Sequence, residues 1–295
     1  MKKFILILII CLIPTFCFAG YSKEFIKKID TVIREGNLIE LKQIIPKLKN
    51  INDHYDHFGS LLYTAVLFGK IEIVKFLIKQ GVDPKNGSEF SIPLIKAVKK
   101  GQFEIVDYLY NLTEYTEQEL TDAFVASASC HLKILKYFLN KGVNINSLHS
   151  EGYNALSASM AYDNRECFYY LLDKGAKINY VWTNKKGEKI IKNAIFPAIH
   201  KGKMDIIKHL LKIGANKYSV DSDGNTLLHT AATGLNPEVI HYLVKIGLDV
   251  NAKNKEGHTA LFLSMPGFNL ENEKALRQYE HLMPPEDRVG YDKNK

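Results

Sequence analysis

Hydrophobic and polar positions recur along the chain in the pattern of short amphipathic helices. Two large apolar residues, two or three further residues and a glycine form an ending that returns five times. The copies span Phe76–Asp83, Phe138–Asn144, Leu171–Ala176, Leu210–Asn216 and Leu243–Asp249. A glycine directly after an apolar helical run predicts that the helix stops there, because glycine adopts the left-handed conformation at little cost.

The glycines of this ending define a repeat length. Gly142 and Gly175 lie 33 residues apart, as do Gly214 and Gly247. The interval from Gly175 to Gly214 is 39 residues, which is one period plus a six-residue insertion. The interval from Gly81 to Gly142 is 61 residues, so it holds two repeats, one without its glycine. A period of this length indicates a solenoid, in which each unit buries its apolar face only against neighbouring units.

A second signature precedes the ending and is best preserved in Asp223–Ala232, with weaker copies that begin at Glu256, Glu151 and Ser91. It resembles the ankyrin repeat, whose pattern D-x-x-G-x-T-P-L-H-x-A-A continues through a short turn to a second helix and G-A-D-x-N. Here Leu227 replaces the proline. The resemblance implies an all-α ankyrin-repeat solenoid of stacked helix-turn-helix units joined by β-hairpin loops.

The resemblance also assigns local roles to several residues. Thr226, Thr259, Asn154 and Ser60 stand where a side chain caps the free N–H groups of a first helix. His229 matches the histidine that hydrogen-bonds backbone between repeats. Small residues of the first helices let neighbouring helices approach closely, at Ala65, Ala97, Ala126, Ser159, Ala198 and Ala231.

The period divides the chain into eight units, counting two imperfect ends. They are expected at Tyr21–Asn52, Asp53–Pro84, Lys85–Leu112, Thr113–Asn146, Ser147–Asn179, Tyr180–Tyr218, Ser219–Asn251 and Ala252–Met283. The outer units need polar outer faces and are expected to cap the stack. The predicted organisation is a signal peptide at 1–19, an array of about eight units with capping ends at 20–283, and a flexible tail at 284–295.

The first nineteen residues have the three-part layout of a secretory signal peptide. Met1–Lys3 is a short basic start, Phe4–Phe16 is apolar, and Cys17 and Ala19 place small residues before the expected cleavage site. A retained membrane anchor is the alternative, but the apolar segment is shorter than the roughly 20 residues that span a bilayer. The sequence predicts an exported protein, periplasmic or secreted, with no membrane contact after cleavage.

Charge and cysteine content narrow the class of partner. The formal net charge of +7 falls to +5 when Lys2 and Lys3 leave with the signal peptide. The other basic residues are spread among many acids, unlike the dense stripe of a nucleic-acid reader, so no nucleic-acid partner is expected. Cys167 is expected in the core and Cys130 at an exposed turn. Their different heights in neighbouring repeats argue against a disulfide between them.

In the ankyrin family a partner contacts the hairpin tips and the solvent-facing end of each first helix. The matching positions here are Leu67–Phe68, Lys99–Lys100, Ala128–Ser129, Ala161–Tyr162, His200–Lys201 and Thr233–Gly234. Leu67, Phe68 and Tyr162 stand out because they are apolar or aromatic where solvent is expected. His200 and Lys201 are polar candidates on the same face. The alternative is that a register error hides the apolar residues in the core.

The six-residue insertion lies within residues 181–192 and predicts a lengthened hairpin. It carries the only tryptophan of the chain, Trp182, followed by Lys185 and Lys186. Because insertions in repeat arrays often lie on the binding face, these three residues are candidates to anchor an acidic partner. The alternative is a tolerated loop in which Trp182 packs onto the neighbouring repeat.

The sequence contains no motif typical of an enzyme, a cofactor site or a metal site. His54 and His57 lie among aspartates, but their spacing is that of a loop between repeats. We find no phosphate-binding loop, no nucleophile elbow and no zinc-protease motif. We therefore expect no catalysis, no cofactor and no bound metal.

The sequence predicts a monomeric, non-catalytic protein-protein interaction scaffold that acts outside the cytoplasm through its concave face and hairpin tips. The partner is expected to be a protein, whose identity the sequence does not give. Three alternatives stay open: a secreted effector that binds a host protein, a periplasmic accessory or protective subunit of an enzyme, and a metal or heme carrier that uses the histidines.

Replacing Gly214 with valine is expected to destabilise the array, because a β-branched residue is poorly tolerated in the left-handed conformation at a helix end. Thermal melting of Gly214→Val beside the wild-type protein measures the effect. An unchanged melting temperature would contradict the repeat register.

Overall fold

The computed structural model describes residues 21–56, 59–88, 91–129, 131–183, 186–187, 189–265 and 269–282. These residues contain sixteen α-helices that follow one another as eight contacting pairs. The helices are α1 (Lys23–Glu35), α2 (Leu38–Ile44), α3 (Leu61–Leu67), α4 (Ile71–Lys79), α5 (Pro93–Lys99), α6 (Phe103–Leu112), α7 (Glu117–Ala128), α8 (Leu132–Asn140), α9 (Ala155–Ala161), α10 (Arg165–Asp173), α11 (Ile195–His200), α12 (Met204–Lys212), α13 (Leu227–Ala232), α14 (Glu238–Lys245), α15 (Ala260–Ser264) and α16 (Leu270–Arg277). The predicted all-α fold class is confirmed.

Within the described residues, four short strands form two antiparallel hairpins between helix pairs. Strands β1 (His54–Asp56) and β2 (Gly59–Ser60) form the first hairpin, and β3 (Asn179–Thr183) and β4 (Lys189–Asn193) form the second. In the second hairpin five residue pairs face each other without a bulge. The insertion therefore builds the lengthened hairpin that its position in the sequence predicts.

Several sequence predictions fall outside the described residues. They concern the signal peptide at 1–19, the tail at 284–295, Cys130, Lys185 and the metal-site candidate His57. These remain predictions.

The chain forms two compact units, residues 1–115 and 116–295. In the first unit α3 lies between α1 and α5 and packs on both, while α4 packs on α6. Leu62 and Leu94 of the first helices and Leu77 and Leu109 of the second helices are fully buried between the layers. Each helix pair of this unit thus completes the core of the next pair.

The second unit repeats this arrangement over more pairs. Its first helices, α7, α9, α11, α13 and α15, each contact the next one in this order. Phe124, Phe138 and Phe168 are its largest fully buried side chains, and Cys167 is buried among them as expected. The small residue predicted at the close-packed position of the first helix is buried at Ser159, Ala198 and Ala231, whereas Ala126 of α7 is half-buried.

The glycines of the repeat ending follow the second helices as predicted. Gly81, Gly142, Gly175, Gly214 and Gly247 all have positive φ, between 82° and 102°. A Cβ atom built at Gly214 meets no atom within 4 Å. The cost expected for Gly214→Val therefore comes from the left-handed backbone, about 1–2 kcal/mol, and not from a collision.

The repeat that lacks this glycine ends differently. Helix α6 stops at Thr113, which has extended backbone, with φ −146° and ψ 156°. The next helix, α7, begins one turn early with a capping box in which Thr116 and Glu119 satisfy each other's backbone N–H groups. The boundary between the two compact units falls here, after Tyr115.

Side-chain caps begin the first helices at the predicted positions. The side chains of Ser60, Asn154 and Thr259 each accept a hydrogen bond from the backbone N–H three residues later. At Thr226 the backbone N–H donates to Nδ1 of His229 over 3.2 Å. That side chain accepts at Nδ1 and donates from Nε2, so the cap and the bond to the next repeat share one imidazole.

The second helices are joined across repeats by contacts that the sequence analysis did not anticipate. A lysine lies over the aromatic ring one position further along in the next repeat. The three pairs are Lys42–Phe76, Lys136–Tyr170 and Lys208–Tyr242, with Nζ 5.9, 4.9 and 5.5 Å from the ring centroid. Each contact contributes roughly 0.5–1 kcal/mol at an exposed site.

A buried asparagine ties the last helix pair to the one before it. Asn272 of α16 is fully buried, and its Nδ2 lies within 3.1 Å of the carbonyl oxygens of Ala231, Ala232 and Gly234. Asn269 donates to Gly234 as well, over 2.6 Å. These carbonyls lie at the C-terminal end of α13, where the last carbonyls of a helix lack intrahelical partners, and that of Ala231 also accepts from the backbone N–H of Gly234 over 3.0 Å.

Replacing Asn272 with leucine is expected to lower the free energy of unfolding by about 2 kcal/mol, because buried carbonyl groups lose their hydrogen bonds. Urea denaturation measures the change. Asn111→Leu is the control, because that amide is exposed and donates to the carbonyl and carboxylate oxygens of Asp107 in its own helix, and a change below about 0.5 kcal/mol is expected. A loss in Asn272→Leu no larger than in the control would show that these bonds do not hold the last pair.

Candidate partner-binding surface

In the first unit the candidate residues lie at the end of α3, outside the core. Leu67 is the last residue of this helix and Phe68 follows it, and both are half-buried. The guanidinium of Arg34 lies over the Phe68 ring, 4.4 Å from its centroid, and pairs with Asp30 over 3.0 Å. The register error considered above would have buried these side chains completely, and the structure does not bury them.

In the second unit Tyr162 is the most exposed candidate. It follows the last residue of α9, and its side chain is 70% exposed. Tyr153 lies near it, half-buried and stacked on His149 with ring centroids 4.4 Å apart. Burial first, and then the charge of Glu151, raises the pKa of Tyr153 to about 12. An exposed phenol thus stands beside one that is kept neutral.

The structure gives Trp182 a packing role. Tyr180 and Trp182 lie on the half-buried side of β3, while Val181 faces solvent with 54% exposure. The indole covers Gly152, where a Cβ atom would come within 2.0 Å of Cδ2. Trp182 therefore packs onto the preceding repeat, as the alternative interpretation held, and only part of its ring is left for a partner.

The contact between Trp182 and Gly152 has counterparts in other loops between repeats. Ser88 lies over Gly59, with its Cα 3.0 Å from a Cβ atom built there, and Lys255 lies over Gly224 at 3.1 Å. All three glycines have positive φ. In each case a glycine, which has no side chain, leaves room for a residue of the following loop to pack against it.

The remaining candidates lie near the hairpin and the end of α11. Lys186 is exposed at the hairpin tip, His200 is exposed at the end of α11, and Lys201 follows it half-buried. The carbonyl of His200 accepts a hydrogen bond of 2.9 Å from the backbone N–H of Leu235. Leu235 is 66% exposed, and the sequence analysis did not select it.

Leu235 and a groove in the second unit are the functional candidates that sequence reasoning missed. Leu235 stands where sister repeats have a turn glycine, and that exception was the available signal. The groove, of about 710 Å³, is lined by residues that include Tyr169, His209 and Ile213. No sequence pattern predicts this groove, because its lining residues come from α10, α12 and the start of the long hairpin, which are separated along the chain.

The histidine of the repeat pattern has a structural partner. Within the described ranges, no group of three or more His, Cys, Asp or Glu side chains could hold a metal ion. His229 donates from Nε2 to the carbonyl of His258 over 2.9 Å, which is the backbone bond expected between repeats. Burial lowers the pKa of His229, so the imidazole is neutral at pH 7. In that same part of the chain, no helix has both the length and the apolar character needed to cross a membrane.

Helix pairs that stack with a period of 33 residues, with a histidine bonded between repeats and a glycine after five of the second helices, define a repeat protein. The family model described as "Ankyrin repeats (3 copies)" matches residues 31–122, 116–181 and 193–278. The chain belongs to the ankyrin-repeat family. This family indicates a protein-protein interaction scaffold, and its members are typically non-catalytic.

Three curated relatives show how far the similarity extends. Alpha-latrocrustotoxin-Lt1a of Latrodectus tredecimguttatus is 28% identical over 138 residues, which are 45% of this chain and 10% of that protein. Ankyrin repeat and KH domain-containing protein mask-1 of Caenorhabditis elegans is 28% identical over 176 residues, 59% of this chain and 6% of that protein. The putative ankyrin repeat protein FPV223 of Fowlpox virus is 30% identical over 118 residues, 39% of this chain and 83% of that protein. The chain thus spans a small part of the first two relatives.

The raised pKa of Tyr153 predicts sensitivity to alkali. The folded protein keeps this phenol neutral up to about pH 12, whereas the unfolded chain ionises it near pH 10. Its contribution to stability is therefore complete below pH 10 and is lost between pH 10 and 12. Urea denaturation across this range should show a shallower fall in the free energy of unfolding for Tyr153→Phe than for the wild-type protein.

Tyr218→Phe is the control for removing a phenol, because its side chain is 68% exposed and does not contribute to the raised pKa of Tyr153. This variant is expected to keep the wild-type slope. Equal slopes for Tyr153→Phe and the wild-type protein would contradict the assignment.

Proposed function

We propose that this chain is a non-catalytic protein-protein interaction scaffold that acts outside the cytoplasm and docks a protein through the ends of its first helices and its hairpin tips. The main observation in support is that large side chains lie outside the core at these helix ends. Tyr162 is 70% exposed, and Leu67 and Phe68 are half-buried. Exposed aromatic groups on a rigid support are typical anchors of protein interfaces, because little side-chain entropy is lost on binding.

The rest of the proposal is supported by the packing around these anchors. Tyr162 stands on α9, whose buried Leu156 and Met160 fix the helix in the core. Trp182 holds the long hairpin against Gly152, so the hairpin tip is also carried on a packed support. The basic and apolar layout of residues 1–19 supports export, and a periplasmic or secreted location follows from it.

A pull-down from periplasmic extract and culture medium tests the scaffold. The bait is the mature chain, residues 20–295, beside the variant Leu67→Ser, Phe68→Ser, Tyr162→Ala. Recovery of a partner that falls at least about tenfold in this variant is expected, since interface hot spots each contribute 2 kcal/mol or more. Circular dichroism melting of both baits confirms that the variant is folded.

The control bait removes three exposed apolar residues from the second helices, by Ile39→Ser, Leu112→Ser and Leu270→Ala. It is expected to retain the partner. Equal loss from both variants, or retention by both, would overturn the assignment of the binding face. A partner found only in a host extract would favour the secreted effector, and co-recovery of an enzyme would favour the accessory subunit.

A further inference from the structure

The first unit presents an apolar pair between two groups of cations. Helix α3 packs between α1 and α5, and each of these helices ends just before a turn glycine. The residues before the turn are Arg34 in α1, Leu67 and Phe68 at α3, and Lys99 and Lys100 at α5. Because the three helices lie side by side, the apolar pair has Arg34 on one side and the two lysines on the other.

The lysines of α5 share one helix face. Lys96, Lys99 and Lys100 are spaced i, i+3 and i+4, which places them together. The Nζ of Lys96 lies 5.2 Å from the ring centroid of Tyr63, while Lys99 and Lys100 are exposed. Like charges at this spacing destabilise a helix by a few tenths of a kcal/mol. The helix carries this repulsion with no compensating ion pair in the part of the chain that the structure describes.

The nearby acids do not neutralise this group. Asp30 pairs with Arg34, and Glu35 is exposed next to it on α1. Glu72 and Glu104 pair with Lys75, which belongs to the second-helix layer. A local excess of positive charge therefore lies on α5, beside Leu67 and Phe68.

We infer that this basic surface, formed by Lys96, Lys99 and Lys100 beside Leu67 and Phe68, binds an acidic polypeptide segment with an apolar anchor. The inference rests on the proposed scaffold function and names the chemistry of its partner. Adjacent helix axes lie about 8–10 Å apart, so the distance from α1 to α5 is about 20 Å. An extended segment of about six residues spans it, with its apolar side chains against Leu67 and Phe68 and its carboxylates at the cations.

A protein segment fits this surface better than the other anionic partners. A nucleic acid is bound by a long basic stripe and by open aromatic faces, whereas here one face of Phe68 is covered by Arg34. A membrane surface is bound by a wide apolar face that enters the lipid, whereas Leu67 and Phe68 are half-buried. Alternating charge and apolar contact over a short distance is the pattern of a peptide.

Fluorescence anisotropy with a labelled synthetic peptide tests the inference. The probe has a Leu-Phe pair between three glutamates on each side, and the control peptide has glutamines in place of the glutamates. The wild-type protein is expected to bind the acidic probe, and binding should weaken as NaCl rises from about 50 to about 300 mM. The variant Lys96→Gln, Lys99→Gln, Lys100→Gln is expected to raise the Kd about tenfold.

The matched control is Lys42→Gln, Lys47→Gln, Lys79→Gln, which removes the same charge from exposed lysines of the second-helix layer. Its Kd should change less than about twofold. The double variant Leu67→Ser, Phe68→Ser should also weaken binding of the acidic probe. The dependence of that binding on salt should stay unchanged. Equal weakening by both lysine triples would overturn the inference, because net charge alone would then explain binding.

Two further probes separate the other anionic partners. An oligothymidine strand, or vesicles of phosphatidylcholine and phosphatidylglycerol in equal amounts, that bound more tightly than the peptide would overturn the polypeptide assignment. If the pull-down returns a partner while the wild-type protein ignores the acidic peptide, the scaffold function stands and the acidic class of partner is wrong. If the acidic peptide binds but the pull-down with the protein as bait recovers no partner, the binding surface is confirmed and the extracts did not contain the partner.

Discussion

Burial of one helix pair against the next is the contact on which both units depend. No pair of short helices encloses a core, so Leu62 and Leu94 on the first helices and Leu77 and Leu109 on the second are buried only because neighbours cover them. The polar bonds between repeats follow the same rule. His229 reaches the carbonyl of His258, and Asn272 satisfies carbonyls at the end of α13. Apolar packing and polar satisfaction are thus both nearest-neighbour properties.

Much of this fold was readable from the sequence, because its local rules are strict. A left-handed helix end needs glycine, and the glycine spacing gave the period and its insertion. A free helix N-terminus needs a cap, and Ser60, Asn154 and Thr259 supply it. These requirements act on single residues at fixed positions, so a pattern search finds them without knowing the packing.

The candidate surface was less predictable, because exposure and contact depend on pairs of residues from different repeats. Sequence position alone did not decide whether Trp182 faces a partner or Gly152, since both outcomes satisfy the hairpin. Leu235 stands where sister repeats have a turn glycine. Its exposed position depends on the hydrogen bond from its backbone N–H to the carbonyl of His200 in the preceding repeat. The excess charge on α5 depends on which acids pair with which bases in space. Asp30 pairs with Arg34 and Glu104 pairs with Lys75, and neither pairs with the lysines of α5.

The glycine beneath Trp182 determines how closely the long hairpin can approach the preceding repeat. A Cβ atom at Gly152 would come within 2.0 Å of the indole, and glycines with positive φ also lie beneath Ser88 and Lys255. At these places the spacing between neighbouring loops is set by a side chain on one loop and by the lack of one on the other. The size of the loop residue and the identity of the glycine beneath it are therefore coupled, so that neither can change alone.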